Sequence, residues 1–377
     1  MRNLGRIGYL VHNINDPAVE RRCVMLERGG ATPVLAGFCR DAELREDVAR
    51  RNPLVLGGSA DAALLRRATA TVTNTVFAGR LRRYFQKCGA VMARNLEQLA
   101  IARSVVGDRP LVYECLDIHR MLTGSCPAAG LIRAVEGALL PRVDLLITSS
   151  PAFLEHHFDH RPLAAPRLMV ENKLLLPPGA VLNPDRPAPN PPWRIGWFGM
   201  LRCHRTLAFL TDHAKAGKGA IEVVIHGKPS PAEVPDLERV AAQTPHMSFG
   251  GPYAYDDLPR LYAGVHFAWT IDWFEEGRNS SWLLPNRIYE ALANGAIPIA
   301  LADIEVGRWL ARHGAGLRVA NAEDARTRLL TLEPSEVALM QQDVRAIDRE
   351  AVVSGDEECR RLVDAIARAG AGGGVAR

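Results

Sequence analysis

The sequence lacks the features that mark membrane-spanning, disulfide-rich and metal-binding chains. No run approaches the roughly 18–20 apolar residues that a transmembrane helix needs. The seven cysteines are scattered and form no Cys-x-x-Cys pair, unlike a disulfide framework or a zinc site. The first apolar run is broken by His12 and Asn13, and no small-residue cleavage site follows, so no signal peptide is expected. These absences favour a chain that works in a reducing cytoplasm.

What is present is the composition of an ordinary folded protein. Of the 377 residues, 47% are hydrophobic and 23% are charged, which excludes a disordered or fibrous chain. Because domains usually hold roughly 100–200 residues, this length predicts two of them.

Short β-rich runs alternate with helical stretches along both halves of the chain. The strands predicted in the first half are residues 6–12, 32–37, 90–93, 111–114 and 143–148. Those predicted in the second half are residues 193–199, 221–227, 265–269 and 296–300. Residues 17–29 are predicted to form a helix, with a proline near its start and a glycine past its end. This alternation is typical of parallel sheets covered by helices on both faces.

A proline-rich stretch divides the two halves. Residues 176–193 hold seven prolines, which a helix or a central strand cannot accommodate. We therefore predict an α/β protein of two Rossmann-like, doubly wound parallel-sheet domains, residues 1–175 and 194–350, joined by a linker at 176–193. A C-terminal helix and tail are expected over residues 351–377, frayed from residue 369 onward. Doubly wound sheets bind ligands beyond the carboxyl ends of their strands, so the ligand is expected in an interdomain cleft that both domains face.

Residues 280–300 carry the most chemical information. Pro285 suits the first position of a helix, and Gly295 suits the position just past its end. The spacing predicts a buried face at Ile288, Ala291 and Leu292 and an opposite face at Asn286, Glu290 and Asn294. The helix start near Leu283 and Leu284 would offer amide groups to sugar or phosphate oxygens, and Glu290 would accept hydrogen bonds from a ribose. Spacing alone is equally consistent with Glu290 as a solvated helix residue.

A glutamate followed by a small-residue turn into a strand is the signature of the retaining, group 1 (family 4-like) glycosyltransferases of the GT-B fold. Residues 290–299, EALANGAIPI, resemble that signature. The resemblance implies transfer of a hexosyl group from a nucleoside diphosphate sugar with retention, as in bacterial exopolysaccharide or lipopolysaccharide assembly. It assigns Glu290 to the nucleotide ribose. Many members carry a second glutamate eight residues earlier, near the donor sugar, where this chain has Trp282.

The start of the second half also resembles the family's donor site. The family opens this domain with a strand, a glycine and a basic pair that grips the diphosphate, and Gly199, Arg202 and Arg205 are similar. Guanidinium groups suit such a bidentate grip, although both arginines also fit as ordinary surface charges. Further donor contacts are expected at Gly227, Gly251, Pro252, Leu283, Leu284 and Asn286.

The first half resembles the family more loosely. Asp117 and His119 follow a predicted strand where family members often place a histidine and an aspartate, so they are the candidate catalytic residues. A structural role is the alternative for His119. Acceptor-binding candidates follow two other strands: His12, Asn13, Arg94 and Asn95.

The basic residues are unevenly distributed. Between Arg66 and Arg103 there are eight basic residues, and Glu97 is the one acid. Within this stretch, residues 80–87 interleave cations with Leu81, Tyr84 and Phe85. Such a basic amphipathic segment can lie on an anionic membrane surface at the inner leaflet. A solvated helix face explains it equally well.

The expected partners are a nucleotide-sugar donor and a glycan or glycolipid acceptor, with an anionic membrane surface as a further candidate. No nucleic acid is expected, because no binding motif accompanies the basic residues. No cofactor and no metal are expected, because no Asp-x-Asp motif is found. Three alternatives remain open: a sugar-nucleotide epimerase, a phosphorylase, and a non-catalytic nucleotide-sugar-binding subunit.

Overall fold

A computed structural model describes residues 5–57, 71–177, 182 and 186–372 of the protein. It divides into two compact units, of which the first comprises Met1–Glu171 and Gly355–Arg377 and the second Asn172–Ser354. Several predicted features lie outside the described residues: Arg66, Arg67, linker residues 178–181 and 183–185, and tail residues 373–377. No helix of the described residues is long and apolar enough to cross a membrane.

The first unit holds a seven-stranded sheet. Its strands are β1 (Arg6–Val11), β2 (Thr32–Gly37), β3 (Leu54–Val55), β4 (Ala90–Arg94), β5 (Leu111–Cys115), β6 (Leu145–Thr148) and β7 (Arg167–Met169). Its helices before residue 171 are α1 (Pro17–Arg28), α2 (Glu46–Ala49), α3 (Thr71–Tyr84), α4 (Leu96–Val105), α5 (Arg120–Thr123), α6 (Pro127–Leu139) and α7 (Pro151–His156). The strand order is β3-β2-β1-β4-β5-β6-β7, and every neighbouring pair is parallel.

The second unit holds a six-stranded sheet. Its strands are β8 (Trp193–Leu201), β9 (Ile221–Pro229), β10 (Met247–Phe249), β11 (Phe267–Trp269), β12 (Ile297–Leu301) and β13 (Leu317–Val319). Its helices are α8 (His204–Ala216), α9 (Leu237–Gln243), α10 (Leu258–Ala263), α11 (Asn279–Trp282), α12 (Asn286–Ala293), α13 (Glu305–Arg312), α14 (Ala322–Thr331), α15 (Pro334–Ala346) and α16 (Arg349–Val352). The order β10-β9-β8-β11-β12-β13 is also parallel throughout.

Both sheets are therefore doubly wound, as the alternating pattern predicted. The order of strands reverses between β1 and β4 in the first unit and between β8 and β11 in the second. Ligands of such sheets bind where the order reverses, beyond the carboxyl ends of the two strands. These two places are the candidate sites of the molecule.

Helix α1 begins at Pro17, as the sequence predicted. The Asp16 side chain caps the helix by accepting a hydrogen bond from the Ala18 amide (2.9 Å), and Pro17 takes the first helical position. Four strands that the sequence did not predict, β3, β7, β10 and β13, are two or three residues long. Runs of that length are too short to show an alternating pattern.

The last helix, α17 (Asp356–Gly372), belongs to the first unit although it follows the second in sequence. It packs on α1 so closely that a Cβ at Gly29 would lie 2.3 Å from the Cys359 carbonyl oxygen. A glycine is therefore required at residue 29. The expectation of fraying from residue 369 was wrong for residues 369–372, because they continue this helix.

A buried carboxylate joins the central strands of the first unit. Glu114 of β5 is 0% exposed and accepts hydrogen bonds from the Tyr9 hydroxyl (2.5 Å), Arg22 Nε (2.5 Å) and Arg94 Nε (2.8 Å). Burial by itself would raise the pKa of Glu114, but Arg94 and Arg22 outweigh it and lower the pKa to about 2. The cluster fastens β1, α1, β4 and β5 to one another just below the carboxyl edge of the sheet.

We predict that Glu114→Gln destabilises the first unit strongly. The substitution keeps the shape of the side chain but leaves Arg22 as a buried charge without a counter-charge and leaves Arg94 only Asp16, at 3.9 Å, which costs about 3–5 kcal/mol. Tyr9→Phe is the control, because it removes one hydroxyl from the same cluster at a cost of about 1 kcal/mol. Urea unfolding followed by circular dichroism measures both. Equal effects of the two substitutions would contradict the assignment of a charge-bearing cluster.

Candidate functional site

Two glycines bring β8 and β9 together at the carboxyl edge of the second sheet. The strands pair over nine residues, with Gly199 opposite Gly227. Both glycines have positive φ, +107° and +145°, which other residues rarely adopt. A Cβ on Gly227 would lie 1.9 Å from the Gly199 carbonyl oxygen. Gly227, predicted to bind the donor, therefore has a packing reason to be glycine that involves no ligand.

Helix α12 has the buried face that its sequence predicted, at Ile288, Ala291 and Leu292. On the predicted opposite face Asn286 and Glu290 are half-buried, but Asn294, just past the helix, is buried. The helix ends because Gly295 takes φ +81°, while the Gly295 and Ala296 amides donate to the Leu292 and Ala291 carbonyls (3.1 and 2.9 Å). The helix thus ends where the sequence predicted.

The start of α12 lies one residue later than the sequence predicted. Pro285 is the residue before the helix, with an extended ψ of 153°, and the helix begins at Asn286. The Leu283 amide donates to the Asn279 carbonyl (2.9 Å). Leu284 is 0% exposed, and its carbonyl accepts a hydrogen bond from Asn172 Nδ2 (3.1 Å). The first amides of the helix are therefore those of Asn286 and the residue after it, not those of Leu283 and Leu284.

Arg287 lies at the point where the strand order reverses, and the sequence analysis missed it. Its Nε donates to the Phe198 carbonyl (2.7 Å) and its Nη1 to the Trp269 carbonyl (3.3 Å), so it bridges the carboxyl ends of β8 and β11. Its Nη2 makes no hydrogen bond within the described residues and lies 3.6 Å from where a Cβ of Gly199 would be. A donor nitrogen therefore faces the backbone of Gly199. One signal was present: a cation in the first turn of a helix opposes the helix dipole.

Glu290 lies among two tyrosines beside the same glycine. The Tyr262 hydroxyl donates to Glu290 Oε2 over a long 3.4 Å. The rings of Tyr253 and Tyr262 both pack edge-on against Phe198, and the Tyr253 hydroxyl lies 3.9 Å from the Cβ position of Gly199. Burial, and then the charge of Glu290, raise the pKa of both tyrosines, so both are neutral hydrogen-bond donors. A cation and the Tyr253 hydroxyl thus lie beside one accessible backbone position, and Tyr262, which packs on the preceding Phe198, contacts the Glu290 carboxylate.

Arg202 and Arg205 follow β8 and pair with acidic residues that follow β11. Arg202 Nη2 donates to Asp272 Oδ2 (3.3 Å), and Arg205 Nη1 donates to Glu276 Oε2 (2.6 Å). Both arginines stay accessible, with 31% and 51% of their side chains exposed. Because exposed ion pairs are weak, a bound anion can replace the carboxylate partner of each arginine. Each arginine thus has a carboxylate partner and a guanidinium group that solvent can reach.

The predicted donor positions Gly251 and Pro252 follow β10, next to Gly227 of β9. Gly251 has φ +75°, and its carbonyl accepts a hydrogen bond from the Gly227 amide (2.9 Å). Pro252 follows and is exposed. Among the residues that the structure describes, no group of three or more His, Cys, Asp or Glu side chains is arranged to hold a metal ion.

The carboxyl edge of the first sheet brings together two of the four predicted acceptor residues. His12 Nδ1 and Asn95 Nδ2 lie 3.4 Å apart, after β1 and β4. Burial, only partly offset by Asp16, lowers the pKa of His12 to about 4, so its imidazole is neutral at pH 7. Asn13 Oδ1 instead accepts from the Asn15 and Arg40 amides (3.3 and 3.4 Å). The fourth, Arg94, is 3% exposed and serves the Glu114 cluster.

Asp117 and His119 lie beyond the carboxyl end of β5. Both are exposed. His119 precedes α5, and its Nδ1 accepts a hydrogen bond from the Met121 amide (3.2 Å). The proton of a neutral His119 is therefore on Nε2, where it can be donated outward.

The Arg205 side chain packs on an aromatic cluster. The Arg205 guanidinium lies 4.6 Å from the centre of the Trp273 ring, and Trp273 packs on Phe209 (5.8 Å between ring centres). Phe209 stacks on His213 (5.5 Å, planes 14° apart). His213 is 0% exposed, and neither ring nitrogen has a hydrogen-bond partner within the described residues. Burial, with a smaller contribution from Arg326, lowers the pKa of His213 to about 4.

One relative decides the family. The succinoglycan biosynthesis protein ExoL of Rhizobium meliloti (strain 1021) is 40% identical over 377 residues, which cover 96% of this chain and 93% of that protein. The chain belongs to the ExoL family. No family model matches the sequence.

Solved structures show which fold this ExoL-family chain has. HepE of Anabaena, in complex with UDP and glucose, matches with a TM-score of 0.70 at 13% identity, over 96% of this chain and 99% of that one. The sucrose-phosphate synthase of Thermosynechococcus elongatus matches with a TM-score of 0.68 at 15% identity, over 96% and 98%. A glycosyltransferase from Rickettsia africae gives 0.63 at 12% identity, over 97% and 99%. The chain has the GT-B fold of glycosyltransferases, as the resemblance in its sequence implied.

We predict that His213 makes the stability of the second unit depend on pH. Its folded pKa of about 4 lies below the ordinary value of about 6.5, so the folded protein binds fewer protons between these values. The contribution of neutral His213 to the free energy of unfolding is therefore fully present above pH ~6.5. It falls by up to about 3 kcal/mol as the pH drops to ~4. His213→Phe should remove most of this fall, and His160→Phe, at an exposed histidine, should not. Urea midpoints between pH 4 and 7 measure it, and parallel curves for wild type and His213→Phe would contradict it.

Proposed function

We propose that the protein is a glycosyltransferase that moves a hexosyl group from a nucleoside diphosphate sugar to a hydroxyl of a growing bacterial polysaccharide. The observation that carries the proposal is the cluster at the β8–β11 reversal. There, Arg287 places a cation beside the open backbone of Gly199, and Glu290, three residues further along the same helix, contacts Tyr262. The name of the ExoL relative supports a polysaccharide product, and the UDP and glucose bound in HepE support a nucleotide-sugar donor.

Each part of the donor has a partner in this proposal. Glu290 accepts the ribose hydroxyls, and the helix amides at the start of α12 face donor oxygens. Arg287 Nη2 binds the diphosphate beside Gly199, where the absence of a side chain allows close approach. Arg202 and Arg205 exchange their carboxylate partners for phosphate oxygens, which guanidinium groups bind in a bidentate manner.

The arginines then act in the chemical step. The bond between the anomeric carbon and the diphosphate oxygen breaks, and negative charge builds on that oxygen. Fixed cations beside the leaving group lower the energy of this charge without the help of a metal ion. The acceptor oxygen bonds to the same carbon with retention, through a transition state of oxocarbenium character, and its hydroxyl proton passes to the departing diphosphate. Asp117 and His119 are the proposed groups that position the acceptor hydroxyl or the sugar.

The acceptor in this proposal is a lipid-linked glycan precursor, with an anionic membrane surface as a further partner. This acceptor separates glycosyl transfer from its alternatives by experiment. Nucleoside diphosphate should be released from the sugar donor only when an acceptor hydroxyl is supplied. A phosphorylase would need inorganic phosphate instead, an epimerase would change the donor with no acceptor, and a binding subunit would release nothing.

We predict that one of UDP, GDP, ADP and dTDP stabilises the protein against heat, and that Glu290→Ala loses the effect. At a nucleotide concentration of about 100 times the dissociation constant, the stabilisation is about 2.7 kcal/mol. Glu238→Ala, at an exposed glutamate of α9 in the same unit, is the matched control and should respond as the wild type does. Differential scanning fluorimetry measures the shifts, with UDP expected to be the effective nucleotide. No shift with any of the four would refute the proposed function.

We predict that Arg287→Ala weakens binding of the nucleoside diphosphate but not of the nucleoside. Loss of one charge-assisted hydrogen bond to phosphate costs about 1.5–3 kcal/mol, or at least about tenfold in affinity. Uridine, which has no phosphate, should bind the variant and the wild type alike, whereas Glu290→Ala should weaken both ligands. Arg239→Ala, at an exposed arginine of α9, is the control. Calorimetry for UDP and ligand-observed NMR for uridine supply the readouts, and equal losses for the two ligands would contradict a diphosphate contact.

A further inference from the structure

Helix α6 (Pro127–Leu139) turns an uncharged apolar face to solvent. Leu131 is 68% exposed and Val135 is 41% exposed. With Ala138 they occupy positions i, i+4 and i+7, which form one stripe of a helix about 20 Å long. The other exposed residues of the helix are Pro127, Ala128 and Ala134. No charged side chain interrupts this face.

The two charged residues of α6 are bound elsewhere in the first unit. Arg133 Nη1 donates to the Gly124 carbonyl. Glu136 is 0% exposed, and both of its carboxylate oxygens lie 2.9 Å from His157 Nε2. The helix therefore keeps its charges on the protein side, which leaves the outer face free of them.

Cations lie at the C-terminal end of this face. Arg142 ends the 3₁₀ turn Leu140–Arg142 that follows α6, and it lines a shallow depression together with Arg103 and Arg109. Arg109 is held by backbone carbonyls, including that of Val106 (2.8 Å). Arg103 and Arg142 make no hydrogen bond or ion pair within the described residues. Two of the three guanidinium groups are thus available to an anion.

Two acids lie near these three arginines in the sequence, and the arginines outnumber them. Asp144 Oδ2 accepts a hydrogen bond from the Leu111 amide (2.8 Å), and Asp108 is exposed beside Arg109. Exposed cations at residues 80, 82, 83 and 87 add to the positive charge of the unit, and Arg82 Nη2 donates to the Ser104 carbonyl at the end of α4 (2.6 Å). The positive charge next to the apolar face matches an anionic surface.

The segment that the sequence favoured for membrane contact cannot insert apolar side chains. Leu81 and Phe85 are both 0% exposed, and the Tyr84 hydroxyl donates to the Asn52 carbonyl (3.0 Å). The apolar residues of the segment therefore pack into the first unit, and its cations remain outside. Residues 80–87 can contribute charge to a membrane contact, but they supply no anchor.

We propose that the outer face of α6 is the surface by which this protein docks on an anionic lipid bilayer. Leu131 and Val135 enter the boundary between headgroups and acyl chains, and Arg103 and Arg142 bind lipid phosphates. Apolar burial and attraction to anionic lipid together determine such interfacial binding.

α5 packs against α6 and begins directly after His119. Docking on this face would bring His119, a candidate catalytic residue, towards the membrane. The purpose of docking rests on the proposed lipid-linked acceptor, whereas the docking itself is independent of sugar transfer.

The test is flotation of the full-length protein with vesicles. Vesicles of phosphatidylcholine mixed with phosphatidylglycerol should carry the protein, and vesicles of phosphatidylcholine alone should carry much less. The double variant Leu131→Asp with Val135→Asp should reduce binding at least about tenfold, because it replaces inserted apolar groups with charge. The double variant Arg103→Glu with Arg142→Glu should reduce binding to the anionic vesicles by at least about 25-fold, since each cation contributes roughly fivefold.

Two controls make the result specific to α6. Leu339→Asp changes a residue that is 60% exposed on α15 of the second unit, and it should leave vesicle binding unchanged. Arg80→Glu with Arg83→Glu should weaken binding less than the Arg103 and Arg142 pair does. The thermal shift with UDP should persist in every variant, which shows that each one folds and separates this test from that of the proposed function.

Three results would overturn the proposal. The first is a wild-type protein that does not float with anionic vesicles. The second is undiminished binding by the Leu131→Asp, Val135→Asp variant. The third is light scattering that shows a dimer of the wild type and a monomer of this variant, because the face would then be an interface between two copies of the chain.

Discussion

The parallel pairing of every strand is the constraint on which the sites of this molecule depend. In a parallel sheet all carboxyl ends meet at one edge, so residues far apart in sequence become neighbours there. His12 and Asn95 approach in this way in the first unit, as do Gly199 and Arg287 in the second. Both sheets reverse their order beside their first strand, and the reversal opens the space in which those side chains lie.

The ion pairs at the carboxyl edges of the two sheets differ in their burial. In the first unit, Glu114 and its two arginines are buried, and removing Glu114 would leave Arg22 as a charge that neither water nor protein compensates. In the second unit, Arg202 and Arg205 are paired with carboxylates but remain accessible to solvent. A buried pair stabilises a fixed geometry, whereas an exposed pair exchanges partners at little cost. The second edge is therefore the one suited to a polyanionic ligand.

Glycine has separate roles at neighbouring positions of the second edge. Gly227 has no side chain because the Gly199 carbonyl occupies the place that a Cβ would take. Gly199 itself has room for a Cβ, but its φ of +107° disfavours one. A motif that shows only "strand then glycine" does not separate a packing requirement from an open approach to a ligand. The contacts of each glycine separate them.

The sequence by itself determined the doubly wound fold, the buried face of α12 and its end at Gly295, because these follow from local periodicity and backbone preference. It could not predict the short edge strands, whose pairing depends on neighbours, or the membership of α17 in the first unit. Only the tertiary structure placed Arg287 beside Gly199, buried Arg94 against Glu114 and packed Leu81 and Phe85 inside. Local sequence specifies which faces are apolar, but the residues that meet across a sheet edge are decided by strand order, which no local pattern records.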